Sequence, residues 1–296
     1  MTALQEKAPE THEAWGKLGF VPGKTLRVFG MRRSGNHAII NWLQCNAPNG
    51  RSVFMNHCKP GADPFQTFKS VEIDAVRLSR KKAQANLAGF CADVGDGAML
   101  LMSYEDSAPV ECSVKNPISG PFDETLLDAD VLIYRSFLNW AASLFKKLSV
   151  NEDYTEVGRA AILLRTCETY TRLLKRVASA ETSGTVPVCY DDWRKDPSYR
   201  ASTLARLGLP MRDNSLGEIQ PYGGGSSFQK DIANADELAT GQRWQQMAHD
   251  PRYQLILAMA ARDTDLMAVL TQLFPKDASV LAKIAARVPL EQELFQ

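Results

Sequence analysis

The chain lacks an excess of charge of either sign. Its 34 lysines and arginines face 34 aspartates and glutamates, for a formal net charge of zero over 296 residues. No general attraction to nucleic acid or to an anionic membrane surface follows from that balance. No uninterrupted apolar run is long enough to span a bilayer, which argues against an integral membrane segment. The first sixteen residues carry Glu6, Glu10 and Glu13 without an apolar core, so neither a signal nor a transit peptide is expected. Six cysteines (Cys45, Cys58, Cys91, Cys112, Cys167 and Cys189) form no C-x-x-C pair and show no regular spacing. They read as scattered reduced thiols, and the expected location is cytoplasmic. Internal repeats and low-complexity tracts are missing too. Residues 1–23 read as a poorly ordered N-terminal extension, and 24–296 as a single domain. The oligomeric state is not legible.

What the chain does have is an alternation of strand-like and helix-like runs. Thr25–Phe29, Ser52–Met55, Ala98–Tyr104, Asp130–Tyr134 and Thr185–Tyr190 are apolar enough to be buried strands. Between them, Ala38–Leu43, an exposed stretch from Arg77 to Asn86, Phe137–Leu148 and Gly158–Ala180 read as helices. Continuous apolar strands alternating with helices predict an α/β fold with a mostly parallel sheet covered on both faces. Ligands bind beyond the carboxyl ends of such strands. Arg33, His57, Glu105, Arg135 and Tyr190 all lie just past a predicted strand or on its last residue. The Gly223–Ser227 cluster reads as a mobile loop within the domain, because helical pattern resumes after it.

The most informative stretch is Gly30-Met31-Arg32-Arg33-Ser34-Gly35-Asn36-His37. A glycine-bounded loop between a strand and a helix is the setting of a phosphate cradle, where backbone N–H groups and the helix N-terminus hold anionic oxygens. Its G-x-x-x-x-G spacing is that of a P-loop, but Asn36-His37 stand where Lys-[Ser/Thr] is usual. The lysine for phosphate and the hydroxyl for magnesium are therefore absent from their places, and positive charge sits inside the loop on Arg32 and Arg33. That combination points to a phosphate-like ligand bound without an obligatory metal.

Arg32-Arg33-Ser34-Gly35-Asn36-His37 resembles the 5′-phosphosulfate loop of sulfotransferases that use 3′-phosphoadenosine 5′-phosphosulfate (PAPS), with Arg33 at the family's lysine and Ser34-Gly35 matching directly. Arg135 to Ser143 resembles the second signature, in which an arginine at a strand end and a serine eight residues later bind the 3′-phosphate. Val188 to Pro197 resembles the segment whose tyrosine, here Tyr190, contacts adenine, and Ser226-Ser227-Phe228 resembles a segment lining the adenosine pocket. The pieces occur in family order and cover roughly Lys24 to Pro275. The family's Arg-Lys-Gly motif is not visible. Gly241-Gln242-Arg243-Trp244 resembles only the Gly-Asp-Trp that comes after that motif in the family. Arg243 and Lys230 are therefore the candidates for completing the 3′-phosphate clamp.

The resemblance implies a three-layer P-loop-like fold and transfer of a sulfuryl group from PAPS, with no metal, to a hydroxyl or amine of a small-molecule, glycan or lipid acceptor. Its nucleotide sites would be Arg32, Arg33, Ser34, Gly35, Asn36, His37, Arg135, Ser143, Tyr190, Ser227 and Phe228. Such a reaction needs a base for the acceptor proton and cationic stabilisation of the leaving nucleotide. Arg33 falls at the transferring group. Glu105 is the favoured base and His57 the alternative. Asp191-Asp192 read as a turn and N-cap, Trp140 and Trp193 as core, and Lys146-Lys147 with Arg80-Lys81-Lys82 as solvated faces. A P-loop kinase or nucleoside triphosphatase, with Asp106 holding magnesium after a Walker-B-like strand, is the rival reading. A non-catalytic nucleotide-binding module is the third.

Overall fold

The computed structural model describes residues 15–109, 117–217, 228 and 240–287. Its strands are β1 (Lys24–Gly30), β2 (Ser52–Asn56), β3 (Ser70–Ile73), β4 (Val76–Ser79), β5 (Met99–Glu105), β6 (Ala129–Tyr134) and β7 (Thr185–Cys189). They form one seven-stranded sheet in the order β4-β3-β2-β5-β1-β6-β7. The five predicted strands pair in parallel, β2 on β5, β5 on β1, β1 on β6 and β6 on β7. This is an α/β fold with a mostly parallel sheet between helical layers, as the apolar pattern predicts.

Side chains along the central strands alternate between two cores. On β1, Leu26 and Val28 face one core and Phe29 the other; on β5, Met99 and Leu101 oppose Leu100, Met102 and Tyr104. The period of two explains how one sheet buries both faces. Helix α1 (Asn36–Cys45) covers one face with Ile39, Ile40 and Leu43. Helices α2 (Phe137–Ser149) and α3 (Glu156–Ala178) cover the other with Phe137, Leu144, Leu173 and Leu174. Trp140 and Trp193 are both fully buried, as expected.

Two expectations are corrected. Arg77–Asn86 is not one helix. Val76–Ser79 is an edge strand, and the helix spans only Arg80–Ala85. The cause is a tight hairpin: Asp74 and Ala75 both take positive φ, 47° and 66°, the backbone hand of a two-residue turn that matches strand twist. β3 and β4 thus add an antiparallel edge. Nor does the ordered domain begin at Lys24. Trp15, Leu18 and Phe20 are buried, and the Trp15 ring lies 5.5 Å from that of Phe122 and 6.3 Å from that of Phe65.

The sheet order places β1 between β5 and β6, so successive crossovers leave on opposite sides of it. That is the point at which a parallel sheet opens a crevice beyond its carboxyl ends. In register, Gly30 of β1 lies beside Glu105 of β5 and Ile133 of β6.

Candidate functional site

The loop from Gly30 to Gly35 turns tightly into α1. Ser34 N–H donates to the Met31 carbonyl at 3.1 Å, and the Asn36 side-chain amide donates to the same oxygen at 3.1 Å. Gly35 has φ 90°, and a Cβ there would stand 2.1 Å from the Tyr190 ring. Any other residue would push that ring away or strain the turn. Arg33 also takes a left-handed φ, 71°. Among the described residues, the Ser34 hydroxyl, the Asn36 carbonyl oxygen and Arg135 Nε are buried without a hydrogen-bond partner. Buried polar atoms of this kind are uncommon in folded proteins.

The two loop arginines part company. Arg32 donates its backbone N–H to Asp106 Oδ1 at 2.8 Å and pairs its guanidinium with Oδ2 of the same residue. Its carbonyl accepts from Trp140 Nε1 at 3.0 Å. The charge of Arg32 is thereby taken up by Asp106, which in turn is engaged by arginine rather than held open. Arg33 reaches across to α2, where its Nε donates to Ser143 Oγ at 3.3 Å.

Ser143 is the meeting point of a second cluster. Arg243, first residue of the short helix Arg243–Met247, donates from Nη1 to Ser143 Oγ at 3.0 Å and from its backbone to Asn139 Oδ1 at 3.0 Å. Arg135, only 1% exposed, donates to the Arg33 carbonyl at 3.2 Å and to the Thr240 carbonyl at 3.0 Å. Arg33 therefore links Arg135 to Ser143. The bend from β6 into α2 that this requires is fixed by two carboxylates. Asp191 accepts from Ser136 N–H at 2.7 Å; Asp277 accepts from Ser136 Oγ at 2.8 Å and from Leu138 N–H at 3.2 Å. Asp191 thus braces the bend instead of capping its own helix, Tyr190–Lys195, which has Cys189 at the N-cap position. Tyr170 donates to the Arg135 carbonyl and stacks on Trp140 with ring centroids 4.3 Å apart, so two core aromatics hold both arginine-bearing loops.

Charge decides what this cluster is. Burial and the neighbouring Arg135 lower the pKa of Arg33. Arg243 is pushed down to about 9 by burial and Arg135, with Arg33 adding to the effect. Among the described residues, Asp191 places a carboxylate 3.9 Å from Arg135. Arg27, equally buried, shows the contrast. It pairs with Asp130 at 2.7 Å and with Glu124, and the two carboxylates outweigh burial to keep its charge favoured. Arg27 is a structural ion-pair network. Arg33, Arg135 and Arg243 lie close enough around Ser143 for their charges to disfavour one another.

Of the rings beside the cluster, Tyr190 is buried and Phe228 half-buried. The Arg135 guanidinium lies 4.9 Å above the Tyr190 ring, which stacks on Trp193, and Arg243 lies 5.6 Å from the Phe228 ring. Ser227 and Lys230, and with them the expected Gly223–Ser227 loop, lie outside the described residues.

On the other side of the loop, His57 and Glu105 meet. His57 Nδ1 stands 3.4 Å from Glu105 Oε2. Both sit at or just past the carboxyl ends of β2 and β5, and His57 and Asp106 adopt positive φ of 57° and 53°. Strained backbone of this kind persists where surrounding structure holds it, and it concentrates at functional sites. Burial raises the Glu105 pKa, but the hydrogen bond and charge of His57, with His37 and Arg32, outweigh it and hold the carboxyl below its usual range. His37 is kept below the usual imidazole range by burial. The two residues read from the sequence as alternatives thus form one pair, with the His57 side chain 45% exposed.

Sequence reasoning did not find Tyr170, Asn139, Asp277 or Thr240. Tyr170 carries the signal of a helix core position, and Asp277 that of an acidic residue in a first helical turn. Neither pattern tells what the polar atom will touch. Among the described residues, no three or more His, Cys, Asp or Glu side chains converge as a metal site would require. No described helix is long and apolar enough to cross a membrane.

The chain is an α/β protein with a largely buried cluster of arginines at the carboxyl edge of its sheet. No protein-family model matches the chain, and no curated protein matches it. Among solved structures it is similar to the mouse sulfotransferase SULT7A1 complexed with PAP, at 12% identity and a TM-score of 0.44, covering 94% of this chain and 95% of that one.

The cluster predicts a specific response to anions. Inorganic sulfate or phosphate should raise the melting temperature beyond the effect of chloride at equal ionic strength. Arg243→Met, which removes one of the three charges, should lose most of that rise. Differential scanning fluorimetry reads both, and equal anion responses in the two proteins would count against a site at Ser143.

Proposed function

We propose that the chain is a PAPS-dependent sulfotransferase acting on a hydroxyl acceptor. The observation that carries this reading is the convergence of Arg33 and Arg243 on Ser143, with Arg135 bonded to the Arg33 carbonyl, next to a glycine-bounded loop at a helix N-terminus. A nucleotide with a 5′-phosphosulfate and a separate 3′-phosphate needs two anion sites at one edge of the sheet. The backbone N–H groups of the loop and of the first turn of α1 suit the first. Arg135, Ser143 and Arg243 suit the second, through charge-assisted hydrogen bonds. Arg33 belongs to the loop and reaches Ser143, and its charge suits the oxygen on which the nucleotide leaves. Phe228 offers an aromatic ring for adenine, while Tyr190 is packed between Arg135 and Trp193 and supports the site from behind.

In the transfer, a bond forms between the acceptor oxygen and sulfur as the bond from sulfur to the phosphate oxygen breaks. The acceptor proton goes to His57, and the electron pair of the broken bond stays on the nucleotide. Glu105 holds His57 through Nδ1, which leaves Nε2 as the ring nitrogen able to take that proton, and it stabilises the imidazolium that forms. This division of labour follows from the depressed pKa of Glu105, which makes it a poor base and a good partner for a cation. A magnesium role for Asp106 is disfavoured by its two bonds to Arg32.

Two results test the proposal. First, the protein should bind 3′-phosphoadenosine 5′-phosphate (PAP) in calorimetric titrations run with a chelator, and bind it in preference to ATP with magnesium. Arg135→Ala should weaken that binding by about 1.5–3 kcal/mol, roughly tenfold to over a hundredfold. An effect within twofold removes the second anion site. Second, in assays with labelled PAPS and a cell extract, His57→Gln should lower turnover by about a hundred- to ten-thousandfold with nucleotide affinity unchanged. Glu105→Gln should lower it less, and a larger loss in the glutamate variant would reverse the two roles.

A further inference from the structure

A cavity of about 520 Å³ lies between the segments that follow His57 and Glu105 and the C-terminal part of α3. Pro60 and the segment from Asp106 to Pro109 line one side, and these are the stretches that directly follow His57 and Glu105. Ser107 donates its hydroxyl to the Glu105 carbonyl at 3.3 Å, tying the cavity wall to the pair. The size suits a small molecule or a short glycan segment.

The opposite wall is the last two turns of α3, and it is basic. Arg172, Lys175 and Arg176 lie at i, i+3 and i+4, so one helix face brings all three to the cavity. Two of them are already engaged at the surface. Lys175 pairs with Asp265 at 2.8 Å, and Arg172 with Glu168 at 3.9 Å, both exposed and weak by their setting. Arg176 differs. It is half-buried, its Nε is buried without a hydrogen-bond partner, and no carboxylate among the described residues stands within ion-pair distance of it. The helix dipole favours cations in the final turn, but it does not require a guanidinium to line a cavity. Asp106, the acidic residue on the cavity lining, is occupied by Arg32.

We infer that this cavity receives the acceptor and that the acceptor is acidic: a hydroxyl-bearing molecule whose own anionic group sits on Arg176, with Arg172 and Lys175 adding to the field. The inference rests on the sulfotransferase reading for the role of the bound molecule, but the preference for an anion stands on the cavity alone. An acidic sugar or hydroxy acid fits it. A neutral sterol or simple phenol leaves Arg176 without an anion.

The test uses the full chain and two matched probes, 4-nitrophenyl β-glucuronide and 4-nitrophenyl β-glucoside, titrated calorimetrically with and without PAP. The glucuronide should bind at least about tenfold more tightly than the glucoside, the gain of one charge-assisted contact. Arg176→Gln should abolish that preference, Arg176→Lys should restore part of it, and the exposed Arg172→Gln should reduce it without affecting folding. PAP affinity should stay unchanged in all three variants. Equal binding of the two probes, no saturable binding of the glucuronide, or a preference that survives Arg176→Gln overturns the inference. Failure of the wild-type protein to bind PAP counts instead against the nucleotide reading, and leaves the comparison of the two probes to judge the cavity.

Discussion

Three arginines brought together around Ser143 disfavour one another's charge, and the rest of this structure arranges to keep them there. Arg33 is set by a left-handed backbone in the loop after β1. Arg135 is set by the sharp bend after β6, braced by Asp191 and Asp277. Arg243 is set by Asn139, one helical turn before Ser143 on α2. Behind them, Trp140 and Tyr170 stack and reach out to the Arg32 and Arg135 carbonyls. A protein that only needed a core would place a leucine at such positions. Arg27 shows that this chain pairs a buried guanidinium with carboxylates when the role is structural. Around Ser143 the guanidiniums lie close enough to lower the pKa of Arg33 and of Arg243, and under the proposed function a dianion bound there relieves that repulsion.

The geometry also separates two kinds of work along one sheet edge. The Ser143 side, between β1 and β6, holds charge still. The His57–Glu105 side, between β2 and β5, holds a titratable pair. The glycine-bounded loop lies between them because β1 lies between β5 and β6. The strand order therefore fixes the order of Ser143 cluster, glycine-bounded loop and His57–Glu105 pair along that edge.

Much of this is legible in the sequence. The β1–loop–α1 unit is readable because its apolar run, its glycines and its helical pattern are all local. The eight-residue step from Arg135 to Ser143 is readable for the same reason. The long-range contacts escape. His57 and Glu105 are far apart in sequence and meet because β2 and β5 pair in parallel, a choice of neighbours that apolar periodicity does not encode. The loop arginines look equivalent in sequence, yet Asp106 takes one and leaves the other to Ser143, which depends on the register of Gly30 against Glu105. The β3–β4 hairpin is misread because Asp74-Ala75 does not advertise a tight turn as Asn-Gly would, and because Val76–Ser79 is short and charged like a helix start. Trp15, Leu18 and Phe20 look like stray apolar residues until Phe65 and Phe122 supply their neighbours.

The central claim is that the Ser143 cluster exists to hold the 3′-phosphate of a nucleotide. The most direct measurement compares PAP with adenosine 5′-monophosphate, which differs only by lacking that phosphate, by calorimetric titration of the wild-type protein in the presence of a chelator. The account predicts that PAP binds at least roughly a hundredfold more tightly, since several guanidinium contacts depend on the missing group. Affinities within a few-fold of each other would contradict it.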